Sequence, residues 1–83
     1  MFIREKDGMI AVYRNLELMM EGKKNYGFFL CADYVIQVDP NEPGLCKFVK
    51  DRTGIFSENR ISTKKVLEII NFLYESEKNS KKK

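Results

Sequence analysis

The last apolar segment of the chain has the periodicity of an amphipathic helix. Between Ser62 and Glu77, apolar residues recur at intervals of three, four and seven positions, which aligns them on one side of a helix. These residues are Val66, Ile69, Ile70 and Leu73. Ser62 or Thr63 can cap the first turn by accepting a backbone hydrogen bond. Because an isolated helix of this length is marginally stable in water, we expect its apolar side to pack on strands upstream.

The first thirteen residues predict a β-hairpin. Asp7 and Gly8 lie between two alternating segments and are typical of a two-residue type I′ turn, in which both residues have positive φ. A tight turn would pair Ile3 with Val12. It would also place Ile10 on the same face of the hairpin as these two residues.

The alternation of apolar and polar residues continues beyond the hairpin, from Ile10 to Met20. We therefore interpret the segment Leu16–Glu21 as a strand. The alternative is a short helix that Asn15 caps and Gly22 ends, because Leu, Met and Glu favour helices. The sustained period of two favours the strand.

The clearest alternation runs from Tyr26 to Val38. Pairing Tyr26 with Met20 places the even-numbered residues of both strands on one face, the even face, and the odd-numbered residues on the other, the odd face. After turn-rich segments, 45–50 reads as a further strand and 55–57 as a short strand or the lead-in to the helix. The pattern predicts an α+β fold: a curved antiparallel β-meander of four to five strands, with one C-terminal helix packed on the even face.

The composition indicates one small domain with a separate basic end. The chain has 83 residues, which is room for one modest core. Its net charge is +3, but four of its fifteen basic residues lie in the last six positions, which leaves eleven basic and twelve acidic residues in 1–77. We expect 1–77 to form the domain and 78–83 to be a disordered, lysine-rich tail. The slightly negative body argues against a dedicated DNA-binding surface.

The apolar runs of this chain are short. None approaches the ~20 residues that a membrane-spanning helix needs. Charged residues at positions 4–7 interrupt any signal-peptide core. We expect a cytoplasmic protein that does not associate with membranes.

The sequence offers little catalytic chemistry. It contains no histidine, which is the usual general base near neutral pH. Nothing in the sequence activates Cys31 or Cys46, and we expect both thiols to be reduced and buried. The segment 39–44 matches a calcium-binding loop at three positions, but Pro43 and Lys50 stand where ligands should be. We therefore expect no enzymatic activity, no cofactor and no metal.

The odd face of the predicted sheet is more apolar than a solvated face requires. A single helix covers only one side of a sheet, so other segments of the chain cover this face or it contacts a protein partner or a second copy. The two sides of the C-terminal helix raise the same question. The residues that we predict to bind a protein partner are Tyr13, Met19, Phe29, Val35, Phe72 and Tyr74.

A mixture of basic and aromatic residues supports an alternative. Aromatic rings beside cations are typical of surfaces that bind single-stranded nucleic acid. The residues concerned are Lys23, Lys24, Lys47, Phe48, Lys50 and Arg52. The predicted order of elements also resembles the single-stranded-DNA-binding transcriptional coactivators, in which a bent four-stranded sheet precedes a C-terminal helix and two copies dimerise.

Two functional hypotheses follow. The first is a small non-catalytic intracellular protein-interaction module that acts as a regulator or inhibitor. The second is a nucleic-acid-binding transcriptional regulator that uses the basic and aromatic residues and the tail, whose lysines would add a weak, salt-sensitive attraction to phosphate. A homodimer is compatible with both hypotheses.

Overall fold

The computed structural model describes residues 1–24, 31–56 and 60–80. The elements over these residues, in chain order, are β1 (Phe2–Lys6), β2 (Met9–Tyr13), α1 (Leu16–Lys24), β3 (Tyr34–Val38), β4 (Leu45–Asp51), β5 (Ile61–Ser62) and α2 (Thr63–Ser80). The strands form one antiparallel sheet in the order β1-β2-β3-β4-β5. This confirms the predicted α+β meander with a C-terminal helix.

The N-terminal hairpin has the predicted turn and register. Asp7 and Gly8 have φ values of 50° and 79°, as a type I′ turn requires. Ile3 lies opposite Val12, and the other residues of β1 and β2 follow in step. The local signal of a two-residue turn was therefore sufficient to fix this pairing.

The prediction that Leu16–Glu21 is a strand is wrong, because these residues lie in helix α1. Asn15 caps the helix: its Oδ1 accepts a hydrogen bond of 2.9 Å from the backbone N–H of Leu18. The helix also continues to Lys24, so it is nine residues long. It carries basic residues in its last turn, where they interact favourably with the helix dipole. The competing helical interpretation is correct in the type of element and in its cap, but Gly22 lies within the helix and does not end it.

Strand β3 pairs directly with β2. Ile10 lies opposite Ile36 and Val12 opposite Tyr34. This is the register that the predicted pairing gives when it is continued along both strands. The predicted strand from 26 to 38 is confirmed only for Tyr34–Val38, since 31–33 are not strand and 26–30 lie outside the described residues.

The second half of the sheet differs from prediction at its edge. Strand β4 carries a bulge, because Lys50 pairs with Val35 whereas Phe48 pairs with the next residue of β3. The final strand is β5, at 61–62, and not the segment 55–57. Ile55 and Phe56 have no regular secondary structure, and position 57 lies outside the described residues.

Each face of the sheet carries its own hydrophobic core. The even-face core joins the sheet to α2 and consists of Ile10, Val12, Tyr34, Ile36, Cys46, Val66 and Ile70. The odd-face core contains Ala11, Tyr13, Ala32 and Val35, with Met9 and Met19 packed against it. Since Met19 belongs to α1, the chain itself contributes cover to the odd face.

Helix α2 begins and ends close to the predicted positions. Ser62 caps it, since its Oγ accepts a hydrogen bond of 3.3 Å from the backbone N–H of Lys65. The helix continues to Ser80, beyond its predicted end at Glu77, and 81–83 of the predicted tail lie outside the described residues. Within the described part of the chain, neither helix has the length and apolar character to cross a membrane.

Candidate functional site

The loop that follows β4 is folded back towards α2 by the carboxylate of Asp51. One oxygen accepts a hydrogen bond of 3.0 Å from the backbone N–H of Thr53, and the other accepts one of 3.0 Å from the backbone N–H of Phe56. Gly54 between them has a φ of 69°, a left-handed conformation that glycine adopts without strain. These contacts fix the position of Phe56 relative to the sheet.

An aromatic cluster anchors the end of this loop. The rings of Phe56 and Phe48 stack with centroids 4.5 Å apart, and both present their edges to Tyr34 at about 6 Å. Because Phe56 is held inwards, its neighbour Ile55 is directed outwards and is 57% exposed. The loop thus forms a wall that faces helix α2.

A groove lies between this wall and the helix. It encloses a cavity of about 350 Å³ lined by Ile55, Phe56, Ile61, Ser62, Lys65, Val66 and Ile69, and we call it the α2 groove. Val66 is buried, whereas Ile69 is 36% exposed. Phe72, one turn further along the same side of α2, is 69% exposed and extends the apolar surface.

The α2 groove carries a single charge among its lining residues, the ammonium group of Lys65. In the described part of the chain Lys65 takes part in no ion pair. The hydroxyl of Ser62 is engaged in capping the helix. The groove therefore offers apolar contacts together with one unneutralised positive charge.

A second, larger cavity of about 530 Å³ lies at the β3–β4 turn. Its walls include Arg60, but Asp39 accepts a hydrogen bond of 2.9 Å from the guanidinium, and Glu42 lies 3.6 Å from it. The backbone N–H of Asn41 and the guanidinium both help to lower the pKa of Asp39. The charge of Arg60 is therefore already neutralised by its neighbours, which leaves less to attract a partner than in the α2 groove.

A buried carboxylate ties the far half of α2 to the sheet. Asp33 accepts a hydrogen bond of 2.8 Å from the hydroxyl of Tyr74 and lies 3.6 and 3.7 Å from the guanidinium groups of Arg14 and Arg52. Arg52 also donates a hydrogen bond to Glu77. Burial, with the hydrogen bond to Asp33, raises the pKa of Tyr74 well above its ordinary value. These contacts hold the helix in place and leave the tyrosine protonated.

Nucleophilic and metal-binding chemistry is sparse. Both cysteines are free; Cys46 is buried and Cys31 is partly exposed. Burial raises the pKa of the Cys46 thiol, which lowers its reactivity. Over 1–24, 31–56 and 60–80, no cluster of three or more His, Cys, Asp or Glu side chains could hold a metal ion.

The structure separates the residues that we predicted to bind a protein. Tyr13 and Val35 are fully buried in the odd-face core, so in the folded chain they offer no surface to a partner. Met19 packs against that core from α1, and Phe29 lies outside the described residues. At these positions the chain packs its own side chains on the odd face, which is the first of the two possibilities that the sequence left open.

The two remaining predicted residues lie on α2, on different sides. Tyr74 packs against the even-face core and donates its hydroxyl hydrogen to Asp33, so it contributes to the attachment of the helix. Phe72 is the most exposed large apolar residue among those that the structure describes, and it continues the apolar surface of the α2 groove. It is the predicted residue that the structure places at the candidate site.

The residues of the nucleic-acid alternative lie on different elements, and two of them are engaged in contacts within the fold. Phe48 stacks in the aromatic cluster and packs against the even-face core. Arg52 pairs with Asp33 and Glu77. The exposed lysines are divided between the last turn of α1 and strand β4: Lys23, Lys24, Lys47 and Lys50.

The groove residues that sequence reasoning missed are Ile55, Lys65 and Ile69. Ile69 belonged to the predicted apolar stripe of α2 and was therefore assigned to the core. Ile55 was assigned to a short strand. The signal that could have distinguished Ile69 from the core residues of α2 is the width of the apolar stripe, which exceeds what one sheet face can cover.

Comparison of the chain with known proteins finds no matching family model, no matching curated protein and no matching solved structure.

Proposed function

We propose that this protein is a non-catalytic interaction module, a regulator or inhibitor whose α2 groove binds an acidic, amphipathic segment of a partner protein. The observation that carries the proposal is the row of exposed apolar side chains along the groove, Ile55, Ile69 and Phe72, beside Lys65, which forms no ion pair with the described residues. Grooves of this kind commonly receive an amphipathic helix through a few apolar anchors.

The energetics favour this use of the surface. Fully burying one large apolar side chain contributes about 1.5–3 kcal/mol, so a partner that covers three partly exposed ones gains a substantial share of its affinity. Charge specifies the partner further. Among the described residues that line the groove, Lys65 is the one that carries a charge, so a carboxylate beside the apolar anchors is favoured over a second cation.

The proposal is tested by selecting peptides from a random display library on immobilised full-length protein. We expect enriched sequences with two or three apolar residues at helical spacing and at least one Asp or Glu. Ile69→Lys should abolish this enrichment. Leu16→Lys is the matched control, because Leu16 is similarly exposed but lies on α1, whose residues pack against the odd face.

A pair of charge reversals tests the partner's acidity. Lys65→Glu should shift the selection from acidic to basic peptides, whereas Lys64→Glu should leave it unchanged, since Lys64 is exposed and does not line the groove. Failure to enrich any peptide class would overturn the proposal. Equal enrichment on wild type and Ile69→Lys would also overturn it.

The nucleic-acid alternative has less support, because its aromatic residue is packed in the core and its arginine is ion-paired. Binding of a labelled single-stranded oligonucleotide to the full chain and to residues 1–77, measured by fluorescence anisotropy at about 50 and 200 mM salt, tests this alternative. We expect any binding to vanish at the higher salt concentration. Binding by 1–77 that persists there would favour the alternative over the α2 groove.

A further inference from the structure

Among the described residues, strand β1 forms one edge of the sheet and is bonded to a neighbour on one side only. It is five residues long, pairs with β2 without a bulge and contains no proline. Of the usual devices that protect an edge strand from pairing with another chain, β1 lacks bulges, prolines and very short length, and it carries charged side chains in its second half, at Arg4, Glu5 and Lys6. The opposite edge, β5, has two residues and is protected by its shortness.

The backbone groups that face away from β2 belong to Ile3 and Glu5. Lys6 and Met9 flank the two-residue turn and form its hydrogen-bonded pair. From Lys6 back along β1, the backbone N–H and C=O groups of successive residues therefore point alternately towards β2 and away from it. The carbonyl of Val12, opposite Ile3, accepts a hydrogen bond of 2.9 Å from the backbone N–H of Asp33 and so points away from β1. Both observations place the free N–H and C=O groups of β1 at the same residues.

The side chains in the first half of β1 are apolar and accessible. Phe2 is 39% exposed and Ile3 is 40% exposed, and they project on opposite faces of the sheet. We infer that β1 pairs with the β1 strand of a second copy, in antiparallel orientation with the two-fold axis at Ile3, to make one continuous ten-stranded sheet.

The charge pattern of β1 selects the second copy and its register. Hydrogen bonds between the two β1 strands require that residues whose N–H and C=O groups point away from β2 lie opposite each other. Because such residues alternate along the strand, the two-fold axis must pass through a residue and not between two residues. An axis at Arg4 or at Glu5 places like charges directly opposite each other, which is unfavourable. An axis at Phe2 pairs only three residues of each strand. With the axis at Ile3, five residues of each strand pair, and Ile3 lies opposite Ile3 of the second copy. Phe2 then lies opposite Arg4 of the second copy, which is a favourable contact between a cation and an aromatic ring.

This contact is small. A seam of five residues per strand buries less than the roughly 1,200 Å² of a standard interface, so we expect a dissociation constant on the order of 10–100 µM. The dimer does not use the α2 groove. Ile69→Lys should therefore leave the dimer intact, and a failed peptide selection would not affect this inference.

Sedimentation velocity of the full chain from about 5 to 500 µM tests the dimer across the expected dissociation constant. We expect the sedimentation coefficient to rise with concentration. Ile3→Lys, checked for folding by circular dichroism, should weaken association at least tenfold, whereas Leu16→Lys should not. A wild-type protein that stays monomeric over the whole range would overturn the inference.

Cross-linking tests the register without relying on a destabilising variant. In a Cys31→Ser background, with the buried Cys46 retained, Ile3→Cys places two thiols at the axis, where directly opposite Cα atoms lie about 5.5 Å apart, within reach of a disulfide. Glu5→Cys is the control, because its two copies lie four residues apart along the seam, about 13 Å. Mild oxidation with diamide should therefore link the position-3 variant far faster. Equal rates would overturn the register.

Discussion

The hydroxyl groups of Tyr74 and Tyr34 lie in different environments, and we expect them to have opposite effects on the stability of the protein. The hydroxyl of Tyr74 donates to the buried carboxylate of Asp33 at 2.8 Å. The hydroxyl of Tyr34 is buried and has no hydrogen-bond partner in the part of the chain that the structure describes. A hydrogen bond to a charged group contributes more than a neutral one, while a buried polar group without a partner costs free energy.

Removing each hydroxyl should therefore have opposite consequences. We expect Tyr74→Phe to lower the free energy of unfolding by about 1.5–2 kcal/mol, and Tyr34→Phe to leave it unchanged or raise it by about 1 kcal/mol. Both are measured by urea denaturation. If Tyr34→Phe is as destabilising as Tyr74→Phe, a buried water satisfies the Tyr34 hydroxyl and the difference in their environments is smaller than the contacts indicate.

Among the secondary-structure elements, α1 depends most visibly on one side chain. It has nine residues, which is too short for stability in isolation, so its first turn relies on the cap that Asn15 provides and on packing of Met19. Asn15→Ala should lower the free energy of unfolding by about 1 kcal/mol, measured by thermal or urea unfolding, whereas Asn15→Asp, which keeps the acceptor, should preserve it. Equal stability of the Ala variant would mean that packing alone fixes the helix start.

The elements predicted correctly are those whose signals are local. Asp7 and Gly8 specify the first hairpin, and a capping Ser62 with an apolar stripe specifies α2. The segment Leu16–Glu21 satisfies a period of two and also follows a helical cap, and the odd-face core that its helix covers decides between the two. Strand β5 has only two residues and forms because it pairs with β4, so no local sequence pattern predicts it.

The candidate site was harder to predict than the fold because it depends on tertiary placement. Ile69 lies in the apolar stripe of α2, and sequence alone gives no reason to separate it from Ile70, which is fully buried. The difference arises because the loop 51–56 folds beside the helix and leaves a gap there, held by hydrogen bonds to Asp51. Such side-chain contacts across turns have no periodic signature.

At the scale of the whole molecule, two cores share the same strands. Consecutive residues of β3 serve opposite layers: Tyr34 belongs to the even-face core and Val35 to the odd-face core. Strand β2 alternates in the same way. Since a strand cannot leave one layer without leaving the other, both layers should unfold together.

This coupling is tested by weakening each layer separately. Ile70→Ala in the even-face core should lower the free energy of unfolding by about 3 kcal/mol, and Val35→Ala in the odd-face core by about 2 kcal/mol, through lost burial and the cavity left behind. Amide hydrogen exchange in increasing urea should show α1 and α2 losing protection at one midpoint in both variants. If α1 loses protection first in Val35→Ala, the odd-face layer is a separate unit and the sheet alone does not make the molecule cooperative.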